Sequence, residues 1–121
     1  MAEKKYLIAV ASTDGIVVNQ HFGRADRFLV YRIEDGKITG TDETRNVKPV
    51  CSGGDHNEDA MLDNIKTISD CRYVLVSRIG QRAAMLVGQN GIIPMEIPGM
   101  IEESIAKITA FDQIQDLFER N

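Results

Sequence analysis

The chain changes its hydrophobic period partway along. From residue 6 to about residue 45 the apolar positions fall in short runs that suit strands. These are Tyr6 to Ala11, Phe28 to Ile33 and Ile38 to Arg45. Glu34-Asp35-Gly36-Lys37 is a two-residue hairpin signal between the last two runs, and Asp14-Gly15 is a second hairpin signal after the first. Beyond about residue 55 the spacing becomes helical. Ala60, Met61, Leu62, Ile65 and Ile68 share one helix face, and Cys71 to Ser77 is a compact strand. Gln81 to Gly88 reads as a short helix stopped by Asn90-Gly91, and Ile92 to Glu96 as a last strand. Ile101, Ile105, Ile108, Phe111, Ile114 and Phe118 predict a helical face, broken near Asp112, which would cap a final helix.

Strands first, then strands alternating with helices, imply an α/β sheet that is antiparallel on one side and parallel on the other. The 121 residues suffice for one core, so residues 1–121 are expected to form a single domain. Apolar residues make up 43% and charged residues 26%, the balance of an ordinary globular protein. No apolar run approaches the ~20 residues of a membrane span, and Met1-Ala2-Glu3-Lys4-Lys5 leads directly into a strand-length run. A cytoplasmic protein with no membrane association is expected. The net charge of −4, with dispersed basic residues, argues against nucleic acid as a partner.

Four side chains could ligate a soft or borderline metal: His21, Cys51, His56 and Cys71. Their spacing lacks the paired cysteines of a structural zinc site. His21 sits in the polar loop Asn19-Gln20-His21-Phe22-Gly23-Arg24-Ala25 between two strand-like runs, where an imidazole can present a lone pair outward or bond its own backbone. Cys51 and His56 share the glycine-containing loop Val50-Cys51-Ser52-Gly53-Gly54-Asp55-His56-Asn57. Cys71 opens an apolar strand and is expected in the core. Arg24, Arg27, Arg78 and Arg82 could converge near one end of the sheet. Ser77-Arg78-Ile79-Gly80-Gln81, a strand-to-helix turn, offers backbone N–H groups to an anion or simply packs closely.

The apolar runs Leu7 to Ala11 and Tyr73 to Val76 carry none of the clustered acids that phosphoryl chemistry needs, and no nucleotide-binding glycine fingerprint is present. A hydrolase would need Cys51 activated by His21 or His56, with Asp55 to orient the base, and no hydrolase signature surrounds them. A ligand-free regulatory or interaction module is compatible with every residue. A carrier of a preassembled metal–sulfur cluster fits the inventory better. Such a cluster brings its own sulfide and needs only one or two soft ligands plus cations to offset its charge; a permanent cluster would take four cysteines.

Several of these segments together resemble the dinitrogenase iron-molybdenum cofactor biosynthesis family, which includes NifX and the C-terminal domain of NifB. They are Ser12-Thr13-Asp14-Gly15, Val18-Asn19-Gln20-His21-Phe22-Gly23-Arg24-Ala25, Val50-Cys51-Ser52-Gly53-Gly54 and Asp70-Cys71-Arg72-Tyr73-Val74-Leu75-Val76-Ser77-Arg78-Ile79-Gly80. The likeness covers roughly residues 6 to 108. It implies a ribonuclease H-like α/β fold with a five-stranded mixed sheet flanked by helices. It also implies transient binding of an iron-molybdenum cofactor precursor, or a related iron–sulfur or molybdenum–sulfur cluster, passed between donor and acceptor assembly proteins. His21 and Cys51 match the family's histidine and cysteine as metal ligands; Arg24 lies in the same motif, and His56 is a candidate by proximity alone. The sequence has no Cys-x3-Cys-x2-Cys motif of the kind NifB joins to this module, so binding rather than building of the cluster core, and no enzyme activity, is expected.

Overall fold

The computed structural model describes residues 4–50 and 58–119. Strand β1 (Lys5–Val10) lies at the centre of a mixed sheet. It pairs antiparallel with β3 (Arg27–Glu34) and parallel with β5 (Tyr73–Val76). The edges are β4 (Lys37–Asn46) beyond β3 and β6 (Ile93–Glu96) beyond β5. The order β4-β3-β1-β5-β6 reproduces the expected split between an antiparallel and a parallel half. A second, two-stranded ribbon joins β2 (Val17–Val18) to β7 (Gly99–Met100). Among the described residues no helix is long and apolar enough to cross a membrane.

Alternation along the central strands sorts the core into two layers. Ala9, Ala11, Val74 and Val76 pack with Ile65, Ala83, Leu86 and Val87 of helices α1 (Glu58–Thr67) and α2 (Gln81–Gln89). Ile8, Val10, Tyr73 and Leu75 face Ile101, Ile105 and Ile108 of α3 (Ile101–Glu119). Because β5 is covered on both faces, all four of its residues are apolar and fully buried, which is why it reads as an unbroken run. Cys71 lies in the first layer, 3% exposed, as expected for a core thiol. The β3–β4 hairpin turns through Asp35 (φ 51°) and Gly36 (φ 80°), the two positive angles a tight hairpin turn requires.

Two expectations need correction, and one strand is new. Asp14-Gly15 does not make a hairpin. The Ser12 hydroxyl accepts hydrogen bonds from the Gly15 and Asp14 N–H groups, and the Asp14 carboxylate accepts from Ile16 and Val17 N–H. This self-contained turn directs Val17 and Val18 away from β1 to pair with β7, and β3 takes the place beside β1. The strand β7 itself was not anticipated. Nor is the last helix broken: α3 runs through Asp112. The carboxylate is 1% exposed and accepts from the Tyr73 hydroxyl at 2.5 Å and Arg72 Nε at 2.7 Å, with Lys4 Nζ at 2.8 Å. Its oxygens are spent on tertiary partners, so none is left to cap a helix.

Burial pushes the Asp112 carboxyl up, but hydrogen bonds from Lys4, Tyr73 and Arg72 outweigh it and hold the group below the usual carboxylate range. A lowered folded pKa contributes stability in full above the unfolded value of about 3.9, and that stability is lost as pH falls through the folded value. Asp112→Ala should therefore cost about 2 kcal/mol at neutral pH by leaving buried donors unpaired, the modest figure reflecting partly exposed Lys4 and Arg72. Asp112→Asn should flatten the loss of stability below about pH 4. Urea unfolding of parent and variants across that range checks both, and an unchanged midpoint at neutral pH would contradict the assignment.

Candidate functional site

The His21 loop is an extension of the sheet. The Ala11 N–H donates to the Leu75 carbonyl at 2.9 Å, carrying the β1–β5 pairing past the strand end. After the Ser12 turn and β2 the chain returns, and residues 20–22 take up the same pairing. The Ser77 N–H donates to the Gln20 carbonyl at 3.0 Å and the Phe22 N–H to the Arg78 carbonyl at 2.9 Å. His21 and Arg78 are thereby partners in a parallel bridge. Phe22, 3% exposed, packs against Phe28 at 5.9 Å between ring centres, and Ala25 is buried beside it. A single 3-10 turn, Phe22–Arg24, closes the loop, with the Arg24 N–H donating to the His21 carbonyl.

The imidazole itself is exposed and makes no side-chain hydrogen bond to the turn it precedes. Among the described residues it has no polar partner, so the alternative of a histidine bonding its own backbone finds no support there. Next to it the Gln20 side-chain oxygen is buried with no hydrogen-bond partner among the described residues.

Cys51 and His56 lie outside the described residues. The chain leading to Cys51 is fixed at this same place: the Val50 N–H donates to the Gly23 carbonyl at 2.8 Å, and the Val47 N–H to Asp26. Asn64 of α1 bonds both backbone groups of Lys48.

The four arginines separate into two pairs. Arg82 is held by Glu58, Nε to Oε1 2.7 Å, and Arg27 lies 3.6 Å from Asp26. Arg24 and Arg78 are exposed and have no ion pair among the described residues. Helix α2 begins at Gly80 with no side-chain cap, and the Ile79 N–H donates to Glu96. No group of three or more His, Cys, Asp or Glu side chains suited to a metal ion occurs among the described residues. A groove of about 530 Å³, lined in part by Ile16, Tyr31, Ile38 and Met100, contains neither His21 nor Arg78.

These features define a small α/β fold whose exposed imidazole is paired in register with exposed Arg78 just past the carboxyl end of β5, where ligands of open α/β sheets bind. Residues 4–110 match the family described as dinitrogenase iron-molybdenum cofactor, and the chain belongs to that family. It is 35% identical over 117 residues to FeMo cofactor biosynthesis protein NifB of Chlorobaculum tepidum, covering 97% of this chain and 27% of that protein. Against the NifB of Frankia alni it is 41% identical over 107 residues, covering 86% and 21%. The chain thus spans about a quarter of the length of these curated relatives. The crystal structure of PH0822 superposes with a TM-score of 0.64 at 25% identity, covering 86% of this chain and 90% of that one. The NMR structure of the Thermotoga protein TM1290, of the DUF35 family, gives 0.55 at 19% identity, covering 89% and 88%, a likeness of fold alone.

Cys71 is expected to be an unreactive thiol in the folded protein. Burial first, then the Asp70 charge, pushes the Cys71 thiol up to about 12, so it carries almost no thiolate at neutral pH. In a Cys51→Ser variant, a thiol reagent at pH 8 should label nothing in the native protein and one cysteine after unfolding. Rapid native labelling would show that Cys71 is accessible.

Proposed function

We propose that this domain is a non-catalytic carrier for a preassembled metal–sulfur cluster, acting in iron-molybdenum cofactor assembly. The observation that carries the reading is His21: an exposed imidazole without a polar partner among the described residues, on backbone locked to the sheet. A neutral imidazole ligates a metal, and Arg24 beside it offsets anionic charge. Cys51 is the second soft ligand of this reading and follows Val50, which is bonded to the His21 loop. His56 contributes in the same segment. The cargo is an iron-molybdenum cofactor precursor or a related iron–sulfur or molybdenum–sulfur cluster, received from a donor and released to an acceptor protein in the cytoplasm. The finer fold assignment, a ribonuclease H-like motif, belongs to this reading and is supported by the sheet order with β3 antiparallel to its neighbours.

Anaerobic titration with a synthetic thiolate-ligated four-iron, four-sulfide cluster, followed by visible absorption, tests the proposal. His21→Ala should bind about tenfold or more weakly, while its melting temperature stays close to the parent's because the side chain is exposed. Uptake as tight as the parent's would remove His21 as a ligand. No uptake by the parent would end the carrier reading.

A further inference from the structure

We infer that Arg78 is a ligand-contacting residue of the His21 site, supplying the cation that meets the anionic face of the cargo. The cargo class rests on the carrier reading; the placement of Arg78 does not. His21 and Arg78 are far apart in sequence, yet they are register partners in a parallel bridge. Partners across such a bridge project their side chains to the same side, from backbones roughly 4.8 Å apart. Both are exposed. The imidazole and the guanidinium therefore stand side by side at the carboxyl end of the central strand pair.

Three other arginines of this net-acidic chain are occupied. Arg45 is paired with Asp70 and Glu43, Arg72 with Asp112, and Arg82 with Glu58. Glu96, the register partner of Val76 on β6, has a carboxylate that accepts the Ile79 N–H. This leaves the Arg78 guanidinium without an ion pair among the described residues, beside a metal-ligating side chain. Its planar fork of N–H donors suits an edge of sulfide or oxygen atoms carrying negative charge. A ligand offering both an open metal valence and such an edge is an anionic metal–sulfide cluster; a thiometallate, whose metal is already coordinated by sulfide, presents the edge alone. A neutral complex would gain nothing from Arg78.

The probe is tetrathiomolybdate, a sulfide-edged dianion, titrated anaerobically into the parent, Arg78→Gln, Arg78→Lys and Arg32→Gln. Arg32 is an exposed arginine on β3, so Arg32→Gln makes the same change in net charge away from the His21 loop. Arg78→Gln should weaken binding about tenfold, Arg78→Lys should recover part of it, and Arg32→Gln should stay within about twofold of the parent. Melting temperatures establish that each variant is folded. Parent-like affinity in Arg78→Gln, an equal loss in Arg32→Gln, or no binding by the parent would each overturn the inference. The two proposals fail separately. Arg78-dependent binding of tetrathiomolybdate without uptake of the iron–sulfur cluster would sink the carrier reading and leave Arg78 standing; cluster uptake with an indifferent Arg78 would do the reverse.

Discussion

The parallel pairing of β1 with β5 is the constraint on which the rest of the molecule depends. Each strand is covered on both faces, so Ile8, Val10, Tyr73 and Leu75 fill one layer while Ala9, Ala11, Val74 and Val76 fill the other. Burying a large aliphatic side chain contributes about 1.5–3 kcal/mol as an upper figure, and the residues of this pair are buried in both layers. The pairing does not stop where the strands end. It runs on through Ala11, is interrupted by the Ser12 turn and β2, and resumes at Gln20 and Phe22 against Ser77 and Arg78. A loop built this way needs little further ordering when something binds to it, which spares affinity the entropic cost of fixing a mobile segment.

Parallel strands also give the sheet two chemically different ends. Lys4 and Arg72 precede β1 and β5 and share the buried Asp112. Arg78, following the same β5, has no carboxylate among the described residues. One end of the strand pair is thus neutralised internally and closes the core against α3; at the other, the exposed Arg78 guanidinium has no ion pair among the described residues. Burial decides which arrangement is tolerable. An unpaired charge beside Asp112 would be costly, whereas an exposed guanidinium retains its hydration and costs the fold almost nothing.

Much of this was legible in local sequence pattern. The change of period near residue 55, the Asp35-Gly36 turn, the burial of Cys71 and the helix from Gln81 are each encoded within a few residues of where they act. The features that were not legible depend on partners distant in the chain. Asp14-Gly15 reads as a hairpin because nothing local reveals β7, with which Val17 and Val18 pair instead. Asp112 reads as a helix cap because nothing local reveals Tyr73 and Arg72 waiting for it. The two-residue strands β2 and β7 are too short to carry a period. For the site, the exposure of His21 followed from its polar, glycine-containing loop. Its pairing with Arg78 did not, since only the sheet register brings them together.

On the proposed reading, the spareness of the site is what makes it useful. A structural zinc site held by four protein ligands is bound by about 10–16 kcal/mol, which is folding energy and not readily given back. One imidazole, one thiol and a guanidinium contact offer far less, because a hydrogen bond to a charged group nets only about 1.5–3 kcal/mol. A cluster already coordinated for the most part by its own sulfide needs no more than this to be held, and an acceptor able to supply additional ligands can then remove it by mass action. Rigidity and weakness are complementary here. The sheet fixes His21 and Arg78 so that the few contacts available are not diluted by disorder, and their small number keeps the bound state within reach of release.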